Sequence, residues 1–267
     1  MNTKKLAILN TFSLGFHIII SYFVQNKKLS SMEVGEVSAK YDSLFAPAGL
    51  TFAIWGVIYI SLIAFCIYHL YKAFNSDKAD QVNSDTNSIG WLFTINNIAT
   101  GLWLIAWVNE ALLLSVFLML LQLISLILIS IRAHISNPER PILSKLFTQF
   151  PLSIYFGWIT IATIANISAY LISVSWNGFN ITENYWVIIM IGAATLVSLF
   201  IILVRRNFFY GMVVLWALYG IILKRNALGE NQYESIVHAA WAGFIIVLLA
   251  LIIRLINRQN VIPSALR

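Results

Sequence analysis

Charge is scarce in this chain, and where it is missing is informative. The sequence carries 17 basic and 11 acidic residues. Eight apolar stretches contain none of them: Leu6–Val24, Gly49–Tyr71, Ile89–Val108, Ala111–Ile131, Leu146–Ile172, Tyr185–Val204, Asn207–Leu223 and Ser235–Ile253. A hydrocarbon layer of ~30 Å is crossed by about 20 apolar residues wound as a helix, because only a helix satisfies its own backbone there. The pattern predicts an all-α fold, a polytopic transmembrane helical bundle of about eight spans. Intramembrane charge is the mark of ion pumps and proton relays, so its absence excludes those classes.

Other absences narrow the chemistry further. Cys66 is the single cysteine and lies inside the second span, so no disulfide framework exists. No lysine lies mid-span, which excludes a retinal-type Schiff base. No Ser/His/Asp series, phosphate loop or CxxC pair occurs, so no catalytic and no metal-binding residue is assigned and the chain is not expected to be an enzyme. His17 is the one titratable group read as deep in a span, where hydrogen bonding to a neighbouring helix is its expected role. Glu234 and His238 lie four apart and share a helix face. Without a second such pair they read as an interfacial ion pair, and they are also the one acid–base pair an interfacial enzyme would use.

The basic excess is placed asymmetrically. Counted on alternate sides of the spans, twelve basic residues fall on the side of the termini: Lys4, Lys5, Lys72, Lys78, Arg132, Arg140, Lys145, Arg205, Arg206, Arg254, Arg258 and Arg267. Five (Lys27, Lys28, Lys40, Lys224 and Arg225) fall on the other. Positive charge marks the cytoplasmic side, so both termini are expected in the cytoplasm, of a bacterial inner membrane. The same placement makes the net charge a topology signal and excludes nucleic acid as a partner. The amino-terminal Lys4 and Lys5 before an apolar run have the outline of a signal peptide, but the run is long and lacks a small-residue cleavage site, so an uncleaved first helix is expected. The short link Trp107–Glu110 requires the third and fourth spans to form an antiparallel hairpin. The segments 25–48 and 72–88 read as loops, the first external and able to act as a lid.

What is present is aromatic. The second span places Phe52, Trp55 and Tyr59 on one stripe. The third carries Asn96, Asn97, Thr100, Trp103 and Trp107. The fifth aligns Trp158, Ala162, Ala165, Asn166 and Ala169. Each stripe admits two readings. In one, small and polar residues are interhelical glue and the tryptophans are anchors. In the other, the stripes converge on an aromatic-walled pocket with a few polar groups to orient a flat ligand.

The run Trp158-x-x-x-Ala162-Thr163-x-x-Asn166 resembles the fifth-helix signature of the TspO/MBR family of tryptophan-rich sensory and translocator proteins. Pro47…Phe52…Trp55…Tyr59 resembles that family's second helix, and Trp103 and Trp107 fall where its third helix is aromatic. Leu50 and Ala53 stand where the family usually has Trp and Pro, and the basic end of the sterol-recognition pattern is missing after Tyr170. The resemblance spans roughly residues 6–172. Three further helices over 173–267 depart from the family pattern and are expected to pack on the core; the resemblance itself implies a five-helix core over 1–172, often dimeric. It also implies a cavity beneath the first loop.

Family members bind porphyrins and other hydrophobic ligands, so the resemblance implies a hydrophobic aromatic or tetrapyrrole-like ligand, with no required cofactor, for sensing, regulation or passive translocation. Phe52, Trp55, Tyr59, Asn97, Thr100, Trp103, Trp158, Ala162 and Asn166 are the expected ligand-binding residues. A facilitative transporter of a neutral lipid-like solute, using the extra helices as a moving element, is the alternative.

Overall fold

The computed structural model describes residues 2–77, 80–229 and 231–259. Lys78, Arg267 and the side chain of Arg258, all counted in the basic asymmetry, lie outside them. Eight of its helical segments are long and apolar enough to cross a membrane, and they coincide with the uncharged stretches.

The chain begins with α1 (Thr3–Gln25), capped by the Asn2 side chain accepting from the Lys4 amide. The segment expected as an external loop folds a short helix, α2 (Val34–Lys40), closed at its start by a Glu33–Glu36 capping box. A 3-10 turn (Gly49–Ala53) leads into α3 (Ile54–Asn75). The second expected loop also folds, into α4 (Gln81–Ile89), whose Asp80 cap accepts from the Val82 amide. The loop readings of 25–48 and 72–88 are corrected on this point. Both segments carry enough apolar residues (Val34 and Val37, then Val82 and Ile89) to bury one face of a helix on the bundle end.

Next come α5 (Trp91–Val108) and α6 (Leu112–Arg132), joined by a tight link in which Glu110 adopts φ 59°. They form the expected hairpin. The fifth span starts as a single turn, α7 (Ile142–Ser144), passes through a π-helical stretch at Lys145–Gln149, and continues as α8 (Phe150–Ser173). The last three spans are α9 (Glu183–Leu199) with a π-helical end at Phe200–Val204, α10 (Phe208–Ala227) and α11 (Glu234–Gln259).

The first five spans close a ring: α1 packs on α3 and α5, α5 on α6, α6 on α8, and α8 back on α3. Because every residue from Pro151 to Ile161 is buried, α8 is covered on all sides, by α3 and α6 within the ring and by α10 outside it. The close α8–α10 approach depends on Gly157, where an added Cβ would lie 3.0 Å from both the Tyr210 carbonyl oxygen and Val213 Cβ. α11 bridges α9 and α10 to complete the outer layer.

A polar seam runs through this apolar frame with α5 as its hub. Thr94 donates to Asn10 Oδ1 (2.8 Å) and His17 Nδ1 lies 3.0 Å from Asn97 Oδ1, both tying α5 to α1. Asn96 donates to Ser125 Oγ (2.8 Å) and Thr100 to Gln122 Oε1 (3.0 Å), tying α5 to α6. Thr100 also meets the Tyr155 hydroxyl at 2.7 Å, reaching α8. In a membrane such bonds are made because the alternative is a polar group facing hydrocarbon.

His17 therefore takes its expected part. His69 is a second buried histidine, which the sequence reading passed over. Its two ring nitrogens lie 2.7 Å from Thr86 Oγ1 and 2.9 Å from Thr148 Oγ1, fastening α4 and the π-helical stretch to α3.

Candidate functional site

Three of the aromatic stripes do meet. Trp55 and Phe52 from the start of the second span stand edge-on to Trp158 of α8, with ring centroids at 6.3 and 5.7 Å. Opposite them, Trp103 and Trp107 of α5 stack at 5.8 Å, one turn apart on the helix. Together with Ala162, Ala165 and Asn166 they line a cavity at the end of the five-helix ring where α1 finishes and α2 follows. The small residues of α8 leave the space; the indoles make its walls.

Polar groups in these walls differ in their commitments. Asn166 is fully engaged, accepting from Trp103 Nε1 at 2.9 Å and donating to Ser115 Oγ at 2.8 Å, so it fixes the Trp103 ring and ties α5, α6 and α8 together. Trp107 Nε1 donates to the Val34 carbonyl at 3.1 Å. Trp158 Nε1 is buried without a partner. An unpaired buried donor is costly, and this one stands in a cavity wall.

The roof is α2 and the chain that follows it. Val34, Ser38 and Tyr41 face the cavity from above. Polar contacts hold the roof along its rim. Lys40 and the Tyr41 hydroxyl both bond Glu110 Oε2 in the α5–α6 turn. Lys27 pairs with Glu36 at 2.6 Å and Ser30 donates to the Val108 carbonyl at 2.7 Å. On the far side the Leu44 amide donates to Glu183 Oε1 at 3.2 Å, and Lys224 of α10 pairs with Asp42. The bond to Lys40 holds the Glu110 carboxyl below its ordinary value, and the bond to Glu110 holds the Lys40 ammonium and the Tyr41 phenol above theirs. Under this latched roof the free volume is ≈ 40 Å³, room for a few waters at ~10–15 Å³ each.

The expected binding residues separate into two groups. Phe52, Trp55, Trp103, Trp158, Ala162 and Asn166 line the cavity. Tyr59, Asn97 and Thr100 do not. Tyr59 turns its hydroxyl to Ser21 of α1 at 3.0 Å, with its ring 5.5 Å from that of Trp55. Asn97 and Thr100 belong to the α5 polar seam one to two turns deeper. Helical spacing puts all of these on inward faces, but it does not say how deep along the axis the hollow extends.

The roof residues Val34, Ser38 and Tyr41 were missed, as was Met119 of α6. A signal for the roof was available: 34, 38 and 41 fall on one helical face, behind a Glu-x-x-Glu capping pattern. Glu234 and His238 are both exposed at the start of α11, away from the cavity.

A family model described as TSPO-like protein matches residues 7–253. The chain belongs to that family. The match takes in the last three spans as well as the ring, so the outer layer is part of what this TSPO-like chain shares with its family. No curated protein and no solved structure matches it. Eight apolar helices and the family together make it an integral membrane protein.

Proposed function

We propose that this TSPO-like protein binds a flat, hydrophobic, aromatic or tetrapyrrole-like ligand in the indole-walled cavity, and that binding is linked to movement of the α2 roof. The observation that carries the proposal is the unpartnered Trp158 indole N–H in a wall built mainly of aromatic rings and small or apolar side chains. A ligand carbonyl or carboxylate would satisfy it while the ring system stacks between Trp55 and the Trp103–Trp107 pair. Ligand pockets of drug size occupy roughly 300–1,000 Å³, so the ≈ 40 Å³ present is the latched state and the roof must lift for loading. No covalent step enters this reading; the output is sensing, regulation or passive translocation.

The test is titration of the detergent-solubilised protein with protoporphyrin, followed by tryptophan quenching. Saturable quenching is expected, with at least tenfold weaker binding in Trp158→Ala. Absent saturation, or an unchanged curve in the variant, would falsify the reading.

One observation favours facilitated movement of a lipid-like solute as a second reading. An apolar groove of ≈ 430 Å³ between α8 and α9 borders the central cavity at Ser43, where a solute arriving from the bilayer would be one side chain away. Flux of a neutral solute through proteoliposomes, abolished by filling the groove with Ser168→Phe, separates this from binding alone.

A further inference from the structure

At the opposite end of the bundle, the end where α1 begins and α11 finishes, lies a second recess of ≈ 160 Å³, remote from the aromatic cavity. It sits where the α6–α7 connection meets the start of α10 and the last turns of α11. Three cations line it, Lys145, Arg206 and Arg254, and among the described residues no Asp or Glu does. The recess beside it, which shares Arg206 and adds Arg205, holds no carboxylate among the described residues either. Neither Lys145 nor Arg206 makes an ion pair among the described residues. Lys145 and Arg206 carry like charge beside one recess, which an anion placed between them would offset.

Two buried groups in the same recess point to that anion. Asn207, 2% exposed, uses its Oδ1 to accept from the Tyr210 amide and cap α10, which leaves its Nδ2 without a partner. Ser153, 1% exposed, has a hydroxyl with no partner. Both line the recess. Asn207 is the N-cap of a 20-residue helix, so the positive end of the α10 dipole adds to the same field.

The backbone is also shaped for the site. Among the described residues two stretches are π-helical: Lys145–Gln149 lends Lys145 and Gln149 to the recess, and Phe200–Val204 ends two residues before Arg206, which holds φ 63°. π-Turns are uncommon and concentrate where side chains must be re-aimed for function.

We infer that this recess binds a phosphate anion, and that its source is the headgroup of an anionic phospholipid. The apolar shoulder decides the source. Ile142 (74% exposed) and Leu255 (45% exposed) project beside the cations, where acyl chains would lie while Lys145, Arg206, Asn207 Nδ2 and Ser153 Oγ hold the phosphate. Basic pockets between spans are suited to such headgroups. Sites of this kind order the ends of helices, here joining α7, α10 and α11.

The test uses the full chain, delipidated in neutral detergent. Phosphatidylglycerol, phosphatidylcholine or inorganic phosphate is added, and thermal unfolding and retained mass in native mass spectrometry are read. Retention of one phosphatidylglycerol with a raised melting temperature is expected. Affinity should fall at least tenfold in Lys145→Gln/Arg206→Gln and stay unchanged in Arg132→Gln, a charge removed outside the recess. Ser153→Ala provides a milder variant that leaves the net charge intact, and about threefold weaker retention is expected there. Protection by inorganic phosphate alone would overturn the lipid source. Equal retention of phosphatidylcholine, or retention undiminished in the double variant, would overturn the anion site itself.

Discussion

At the scale of single residues, the cavity wall contains two kinds of polar group. Asn166 has both ends of its amide committed, to Trp103 and to Ser115, whereas Trp158 has its indole N–H uncommitted. They resemble one another in sequence, each a polar or amphipathic residue on the inward face of the fifth span, yet the contacts give them different work. Asn166→Leu strands the buried Trp103 indole N–H and takes a donor from the Ser115 hydroxyl, which keeps its bond to the Leu112 carbonyl. The expected loss is about 1–3 kcal/mol of stability, read by thermal or chemical unfolding in detergent. An Asn166→Leu protein as stable as the parent would mean that the Trp103 ring is held by packing alone. Arg225 carries a similar lesson. It lies at the end of an apolar run, where a cation is expected to reach water, yet it is 2% exposed and donates to the Ser43 carbonyl at 3.2 Å beneath the roof.

At the scale of elements, the roof combines apolar burial with a polar rim. Val34, Val37 and Phe45 are buried beneath it, and the rim has Glu110 at its centre, where it meets Lys40 and Tyr41. The Glu110 carboxyl has its pKa lowered in the folded protein, so its contribution to closure is present above the ordinary value of 4.5 and is lost as pH falls through the lowered value. The Tyr41 phenol and Lys40 ammonium have theirs raised. Their contributions are complete below the ordinary values of 10.0 and 10.5 and are lost as pH rises through the raised ones. The latch is therefore closed between about pH 4.5 and 10 and loosens outside that window at both ends. Stopped-flow quenching should show ligand association in the parent speeding up only below about pH 4.5, and already fast at neutral pH in Glu110→Gln. A pH-independent rate in the parent would show that roof opening does not gate access.

At the scale of the whole molecule, the outer helices bear on the cavity at a corner beside the Phe52–Trp55 turn as well as at the roof. The Ala48 amide donates to the Gly220 carbonyl at 3.0 Å, and Trp216 Nε1 donates to the Thr51 carbonyl at 3.0 Å. A Cβ added at Gly220 would lie 2.1 Å from Thr51 Oγ1 and 2.9 Å from Pro47 Cβ. Gly220 is thus required for close approach of α10 to the turn that carries Phe52 and Trp55. Gly220→Val is expected to push that turn off α10, lower the melting temperature by several degrees, and weaken porphyrin binding although it touches no ligand. Unchanged affinity in that variant would separate the outer layer from the site.

Much of the architecture was legible in the chain itself. Eight uncharged stretches of spanning length can satisfy their backbones in hydrocarbon only as helices, and short links make neighbours antiparallel, so span number and the third–fourth hairpin follow from local chemistry. The inward faces of the second, third and fifth spans were legible too, because helical period alone puts Trp55, Trp103 and Trp158 on stripes with small or polar residues.

Depth along the bundle axis, and the partner of each polar group, belong to tertiary structure. Asn97 and Asn166 carry the same amide, and only the crossing of α1, α5, α6 and α8 decides that one joins a seam at His17 while the other holds a cavity wall. The roof and the basic recess are likewise assembled from segments far apart in sequence, 34–45 against 107–110 and 224–225, or 145–153 against 206–207 and 254. A local pattern cannot encode such pairings, because hydrogen bonds and ion pairs depend on distances that exist only once the helices have packed.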